Sequence, residues 1–257
     1  MKKMISRRDF LKVAGFSAAA LGLTACGGSG SSTAASTGST AASTGSAAAS
    51  GASVTLKLGF STNEEDPRAK GAQQFKEEVE EKTGGAVTVQ LYPSGQLGGD
   101  ADLINSIALD SGTVDIIVTD ASNFATYDAK MGISALPFQF ETFDDAWAFM
   151  DSDIEAAAEE GLLAQNMRVL AHYCNGFRCV TNSKGPINSP DDMKGLLIRT
   201  PENPVIMATM TALGANPQPL SFSELYQALQ QKTYDAQENP IPVIYNNNLY
   251  EVQEYLS

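Results

Sequence analysis

The sequence predicts an α/β fold in which strands alternate with helices around a mainly parallel sheet. After Val54, short apolar runs typical of strands are separated by longer runs with helical spacing. This part of the chain, about 200 residues, is longer than one typical domain and suggests two lobes. Polar residues also follow several predicted strands, at the positions where open α/β sheets bind ligands.

The predicted elements follow the chain in order. The first half gives a strand at 54–60, a helix from Asp66-Pro67 to Gly84-Gly85, a strand at 87–93, a helix at 100–111 and a strand at 114–120. The second half gives helical segments within 142–165, strands at 168–173, 177–182, 196–200 and 234–237, and helices beginning near Ser189-Pro190, Asn203-Pro204 and Ser221. A cap residue followed by proline favours a helix start, and glycine favours a helix end. Four aromatic residues are expected in the core: Phe138, Phe140, Phe143 and Trp147.

The N-terminal 25 residues have the layout of an export signal, with five cations before an apolar run that is too short to span a membrane. Residues 6–12, SRRDFLK, resemble a twin-arginine export signal. The residues Leu23-Thr24-Ala25-Cys26 resemble a lipobox, which implies that Cys26 is lipidated and anchors the chain to a membrane. The alternative is a chance cysteine near a signal.

A flexible tether is predicted after Cys26. Residues 27–53 contain only small residues, with the heptad STAASTG twice in tandem, and cannot bury a core. The predicted organisation is therefore an export signal at 1–25, a lipidated cysteine and tether at 26–53, a first α/β lobe at 54–175 and a second at 176–257. A crossover back to the first lobe would fall near the C-terminus.

Composition excludes several functions. Removal of residues 1–25, with their five cations and one anion, changes the net charge from −13 to −17, and no cluster of Lys and Arg remains to bind nucleic acid. We see no catalytic triad, phosphate loop or metal-ligand motif, so we expect no enzyme activity, cofactor or metal. The lone histidine, His172, is interpreted as structural. Cys174 and Cys179 leave two alternatives open, a disulfide or two free thiols.

Arg199 is the most informative single residue. It follows Leu197 and Ile198 at the end of a predicted buried strand, where a charge is costly unless something pairs with it. Asp120, Glu238 and Asn239 also lie at strand ends. Their convergence suggests a ligand cleft.

The segments around these residues resemble the DctP family of solute-binding proteins of tripartite ATP-independent periplasmic (TRAP) transporters. The resemblance is carried by RTPENP (199–204), LGANPQPLSFSELYQALQ (213–230), DAQENP (235–240), LYPSGQLGGD (91–100), LPF (136–138) and NGFRCVTNSKGPINSPDDMKGL (175–196). It implies a two-lobed periplasmic-binding-protein fold, type II-like, that is incomplete at the C-terminus because relatives continue for several dozen residues. It also implies a non-enzymatic, extracytoplasmic protein that captures an organic acid anion for a TRAP permease. Alternatives are an accessory to a membrane receptor, or a truncated fragment without function.

The resemblance also assigns roles at the site. Arg199 would pair with the ligand carboxylate in a bidentate manner, unless it forms an internal salt bridge. Arg178 would be a second basic ligand residue or a surface arginine, and Phe222 would stack on the ligand or pack in the core. Asn239 would hydrogen-bond the ligand, and Glu202 would contact a hydroxyl or amine or lie in a helix's first turn. First-lobe positions that line the cleft in relatives are Asp120, Asn123, Asp100 and Ser61.

The chain departs from the family pattern at two positions inside the resemblance. Lys232 and Ala236 stand where relatives usually have glycine. Either residue would be strained in a backbone that needs a positive φ angle.

Overall fold

The computed structural model describes residues 53–257, which alternate between strands and helices. The strands are β1 (Val54–Gly59), β2 (Val87–Tyr92), β3 (Ile116–Ile117), β4 (Arg178–Asn182), β5 (Leu197–Thr200), β6 (Asn216–Pro219), β7 (Ala236–Pro240) and β8 (Tyr255–Leu256). The α-helices are α1 (Pro67–Lys82), α2 (Asp100–Ala108), α3 (Phe143–Met150), α4 (Asp153–Glu160), α5 (Pro204–Ala212), α6 (Phe222–Gln230) and α7 (Ile241–Asn246). Short 3₁₀ helices cover Ala121–Thr126, Ala129–Ala135, Gly161–Gln165, Pro190–Met193 and Leu249–Glu251. The predicted α/β class is confirmed.

The strands form two sheets, with strand orders β2-β1-β3 and β6-β5-β7-β4-β8. β1 and β3 run parallel, and β5 runs parallel to both β6 and β7. β4 pairs antiparallel with β7 on one side and with β8 on the other. The second sheet is therefore mixed. Because β4 runs opposite to β5 and β7, the beginning of β4 meets the end of β7, and this places Arg178 opposite Pro240.

Two helix starts follow directly from the local sequence. The Asp66 side chain accepts a hydrogen bond from the backbone N–H of Arg68 at the start of α1 (3.0 Å), and Pro67 occupies the first turn. The Asn203 side chain accepts bonds from the N–H groups of Val205 and Ile206 at the start of α5. Both helices then bury an apolar face against a sheet, α1 beside the core of β1 and α5 beside that of β5.

The predicted strand at 168–173 is wrong. Residues 166–177 form no helix or strand, and the preceding 3₁₀ helix ends at Asn166 with a φ of 60°. Val169 packs on the cluster around Met131 and Leu162, while Leu170 and Tyr173 are exposed. The segment is held by its side chains and does not pair with a sheet. The strand predicted at 114–120 is shorter than expected, because Asp120 already caps the next 3₁₀ helix.

Three of the four aromatic residues predicted to be core are exposed in the described part of the chain. Phe138, which has a φ of 58°, is 90% exposed, and Phe143 and Trp147 are 49% and 37% exposed. The ring of Phe143 lies 4.8 Å from that of Phe177, and the ring of Phe140 lies 5.3 Å from that of Phe149. Apolar character alone led to the prediction of a core position, whereas Phe143 packs in a ring pair at the surface.

Residues 55–257 form one compact unit. The division into lobes at 54–175 and 176–257 therefore stays a prediction, as do the export signal, Cys26 and the tether up to residue 52, which lie outside the described residues. Cys174 and Cys179 are free thiols. Within the described range, no helix is both long enough and apolar enough to cross a membrane.

Lys232 occupies the left-handed conformation that its glycine-like position predicts, with a φ of 57°. It follows α6 in a Schellman-type ending, in which Lys232 N–H donates to Leu229 O (3.0 Å) and Thr233 N–H donates to Ala228 O (2.9 Å). Ala236 lies inside β7 without a positive φ, so no strain arises there.

We predict that Lys232→Gly stabilises the protein by about 0.5–1 kcal/mol, because relief of the left-handed strain outweighs the entropy that glycine adds to the unfolded chain. Urea denaturation measures the change. Gln231→Gly is the matched control, since Gln231 has a φ of −78° and gains nothing from glycine. Equal effects of the two substitutions would show that Lys232 is not strained.

Candidate functional site

An open cleft of about 320 Å³, counting solvent at its mouth, collects polar residues from both halves of the chain. It is lined by Arg68, Asp100, Asp120, Asn123, Asn175, Arg178, Arg199, Pro201, Phe222 and Asn239. Arg199 and Asn239 come from the ends of the parallel strands β5 and β7, and Asp120 follows β3. The cleft therefore lies where open α/β sheets bind ligands.

Arg199 is 3% exposed and its guanidinium is held by a backbone carbonyl. Nε and Nη2 both donate to Leu220 O, at 2.9 and 2.6 Å. The ring of Phe222 lies 5.9 Å from Cζ, within cation–π distance. No carboxylate among residues 53–257 lies within ion-pair distance of Arg199, so the alternative of an internal salt bridge finds no support there.

The surroundings of Arg199 disfavour its positive charge. Burial lowers the pKa of Arg199 to about 10, and the charge of Arg178 adds to this effect, while the more distant carboxylates of Glu238 and Asp100 only partly oppose it. A bound anion stabilises a buried arginine of this kind more than an exposed one, because no carboxylate of the described chain pairs with the buried guanidinium.

Arg178 differs from Arg199 because carboxylates of the protein pair with its guanidinium. Its guanidinium makes a forked ion pair with Glu238, which is 1% exposed, through Nε to Oε2 and through Nη2 to Oε1 (3.0 Å). Nη1 donates to Oδ2 of Asp120 at 3.2 Å, and Nη2 also donates to Oδ1 of Asn239 at 3.3 Å. Burial alone would lower the pKa of Arg178, but the attraction of Glu238 and Asp120 raises it. This charge is already neutralised by the protein.

Buried hydrogen bonds fix the walls of the cleft. Asn239 donates to Gln237 (2.6 Å), and Gln237 donates to Thr181 (2.7 Å), which ties the end of β7 to β4. Ser61, after β1, donates to both carboxylate oxygens of Asp100 at 3.0 Å. These contacts order the Asp100 and Asn239 side chains without an added ligand.

A second set of contacts joins the two halves of the chain. Asp120 accepts from the Ser122 hydroxyl (3.0 Å), and Asn203, the cap of α5, donates to that hydroxyl oxygen (2.7 Å). The residues that follow β3 and those that follow β5 are therefore linked directly.

Two residues that line the cleft have a buried amide oxygen with no hydrogen-bond donor in the described part of the chain. The two oxygens are Oδ1 of Asn123 and Oδ1 of Asn175. Nδ2 of Asn123 donates to the Thr119 hydroxyl (3.0 Å), and Oδ1 of the same amide is the acceptor that has no donor. A buried acceptor without a donor costs about 1–3 kcal/mol, so these positions favour a ligand that brings hydroxyl groups.

Residues 58–257 match the family described as bacterial extracellular solute-binding protein, family 7 (DctP). The chain belongs to this family. The resemblance found in the sequence is thus confirmed, and family 7 proteins are solute-binding proteins.

Named relatives and solved structures agree with the family match. The 2,3-diketo-L-gulonate-binding periplasmic protein YiaO of Escherichia coli K12 is 35% identical over 206 residues, which cover 80% of this chain and 62% of that protein. A TRAP periplasmic solute-binding protein of Polaromonas sp. JS666 bound to D-erythronate has a TM-score of 0.76 and 37% identity, covering 79% of this chain and 66% of that one. One of Sulfurospirillum deleyianum with bound succinate has a TM-score of 0.75 and 32% identity, covering 80% and 66%. The chain thus spans less than two thirds of the length of these proteins.

Most of the residues that the family 7 resemblance selects come together in the structure. The seven that line the cleft are Arg199, Arg178, Asn239, Phe222, Asp120, Asn123 and Asp100. Ser61 lies behind Asp100 and holds it. Glu202 is exposed and does not line the cleft, so this geometry does not support a role in ligand contact. Its side chain lies in the turn before α5, where Asn203 provides the cap.

Three residues that line the cleft, Arg68, Asn175 and Pro201, were not predicted from the sequence. Glu238 was placed at a strand end, but its pairing with Arg178 was not predicted. Arg68 lies in the first turn of α1, is 7% exposed and contacts Asp66 at 3.3 Å. Its position shortly after the end of β1, at the edge where Arg199 and Asn239 lie, was the available signal.

We predict that Glu238→Gln lowers the free energy of unfolding by about 3 kcal/mol, since loss of one partner of a buried ion pair leaves Arg178 poorly compensated. Urea denaturation without any added acid measures the change. Glu254→Gln, at an exposed position, is the control and should have almost no effect. A loss below about 1 kcal/mol for Glu238→Gln would show that Asp120 and solvent suffice for Arg178.

Proposed function

We propose that this chain is the binding component of a TRAP transport system and captures a hydroxylated organic acid anion in the cleft. The observation that carries the proposal is Arg199, a buried guanidinium that no carboxylate of the described chain neutralises. Arg178, in the same cleft, has its full complement of carboxylates. The asymmetry marks Arg199 as the place where an acid from outside would bind.

A carboxylate fits the remaining donors of Arg199. Leu220 O occupies Nε and one side of Nη2, which leaves the two N–H groups of Nη1 and the other N–H of Nη2. A bidentate pair with those donors would contribute about 1.5–3 kcal/mol per charge-assisted hydrogen bond. The ring of Phe222 covers one side of the guanidinium and would shield the pair from water.

The other walls favour hydroxyl groups. Oδ1 of Asn123 and Oδ1 of Asn175 are free acceptors, and hydroxyl hydrogens are the donors that a sugar acid offers and succinate lacks. Of the relatives named above, one is described as 2,3-diketo-L-gulonate-binding and one is bound to D-erythronate, both acids with several oxygen substituents, while a third has bound succinate. We therefore place this chain's ligand among the sugar acids.

The location and partners follow from the same proposal. The N-terminal signal and the relatives described as periplasmic support an extracytoplasmic protein. Cys26, in its lipobox-like context, would hold it at the membrane beside a TRAP permease, which receives the acid. The tether of residues 27–53 would give the binding domain about 30 Å of reach.

We predict that D-erythronate at 100 times its Kd raises the melting temperature of the full chain by about 5–10 °C, and that erythritol, which has the same chain without the carboxylate, does not. Arg199→Ala should weaken binding at least about 100-fold in calorimetric titration, because both charge-assisted hydrogen bonds are lost. Other sugar acids serve as probes if D-erythronate itself is not bound.

Arg168→Ala is the matched control, since Arg168 is exposed and outside the cleft. It should leave the affinity unchanged. Arg199→Lys keeps the charge but not the fork, and should recover only part of the loss. Unchanged affinity in Arg199→Ala would exclude Arg199 as the carboxylate site, and equal binding of erythritol would exclude an acid as the recognised ligand.

We predict that Asn123→Leu weakens binding of a sugar acid about 5–10-fold and changes succinate binding much less, because only the sugar acid donates a hydroxyl hydrogen to Oδ1. Leucine has a similar shape, so the fold should tolerate it. The ratio of the two affinities, from calorimetric titrations of wild type and variant, is the readout. A parallel loss for both ligands would mean that Asn123 shapes the cleft and does not read hydroxyls.

A further inference from the structure

A cluster of three side chains outside the cleft has the composition of a metal site. Glu155 and Glu159 lie on α4, one turn apart, and therefore on one face of that helix. His172 comes from the irregular segment 166–177 and faces them. One possible ligand atom of each residue lies within 4.8 Å of those of the other two. None of the three lines the cleft.

Glu155 is the independent observation that points to a ligand. Its side chain is 0% exposed, and neither carboxylate oxygen has a hydrogen-bond partner among the described residues. A carboxylate in this state is costly, because it has lost water without gaining a donor. The imidazole of His172 completes the cluster, and its Nε2 lies 2.9 Å from Oε1 of Glu159.

We propose that Glu155, Glu159 and His172 bind one divalent transition-metal ion of the Zn²⁺ class. Two carboxylates and a neutral imidazole carry two negative charges, which a dication cancels. Imidazole together with carboxylate suits Zn²⁺, whereas Ca²⁺ and Mg²⁺ prefer all-oxygen sites. Three protein ligands leave a fourth position for water.

The geometry needs little adjustment. Bonds of 2.0–2.1 Å in a tetrahedral site place ligand atoms about 3.4 Å apart. The contact of 2.9 Å between His172 and Glu159 would open slightly, and atoms up to 4.8 Å apart would close by about 1.5 Å. The side chains of His172 and Glu159 are 14% and 10% exposed, which gives an ion a path to the cluster.

The bound metal would fasten segment 166–177 to α4. This segment has no helix or strand of its own, and it carries two residues that reach the cleft region. Asn175 lines the cleft, and the Tyr173 hydroxyl donates to the backbone carbonyl of Arg68 at 3.3 Å. The metal thus has a structural role that is independent of whether the cleft binds an acid.

The test is a titration of the chelator-stripped full chain with ZnCl₂. We expect one Zn²⁺ per chain and a rise in melting temperature, with no comparable effect of CaCl₂ or MgCl₂. Glu155→Gln and His172→Gln should each weaken Zn²⁺ binding at least about tenfold, since even groups that only orient metal ligands contribute 10–100-fold. Glu160→Gln is the matched control, an exposed acid on the same helix that should leave Zn²⁺ binding unchanged.

A second measurement tests whether cysteine thiols bind the metal, and it uses the wild-type chain, so it does not depend on the folding of any variant. The absorption spectrum of the wild-type chain with Co²⁺ should show nitrogen and oxygen ligation without a thiolate charge-transfer band. The proposal would be overturned if the wild-type chain did not bind Zn²⁺, or if Glu155→Gln and His172→Gln bound Zn²⁺ as tightly as the wild-type chain. A thiolate band from Cys174 or Cys179 would also overturn it. None of these results depends on an organic acid, so the proposed transport function stands or falls separately.

Discussion

The cleft depends on one unbalanced charge, the guanidinium of Arg199. Strand β5 carries it into the interior, and the carbonyl of Leu220 fixes its direction through two hydrogen bonds. A backbone carbonyl contributes only a dipole, so the net charge remains. Arg178 shows that the same fold can neutralise an arginine fully when Glu238 and Asp120 face it. The difference between the two arginines lies in their neighbours.

The rest of the site keeps the carboxylates away from Arg199. Asp120 is occupied by Ser122 and Arg178, Asp100 by Ser61, and Asp66 by its own helix and Arg68. The contacts of Asp66 with Arg68 and of Asp120 with Ser122 are local, whereas Ser61–Asp100 and Arg178–Asp120 join distant parts of the chain. None of them requires a ligand to form. Under the proposed function, a cleft ordered in this way would bind a ligand at a lower entropy cost.

The sequence predicted correctly those features that depend on neighbouring residues alone, such as helix starts and a charge at the end of a strand. Asp66-Pro67 and Asn203-Pro204 begin helices because a side-chain cap and a proline suffice there, and Arg199 was recognisable because a charge ended an apolar strand. The strand at 168–173 and the core role of Phe138 were wrong because both depend on which surfaces pack together. The cluster of Glu155, Glu159 and His172 was not predicted for the same reason, since only tertiary packing brings the segment 166–177 close to α4.

The signs of the charges along the cleft also bear on which acid would bind under the proposed function. Arg199 is the one cleft arginine in the described chain without a carboxylate partner, whereas Asp100 and Asp120 line other parts of the same space. A second carboxylate on the ligand would approach these acids and be repelled by their charge. Hydroxyl groups of the ligand would instead donate hydrogen bonds to the same carboxylates and to the amide oxygens of Asn123 and Asn175. The arrangement therefore favours a monocarboxylate whose far end carries hydroxyls over a dicarboxylate of equal length.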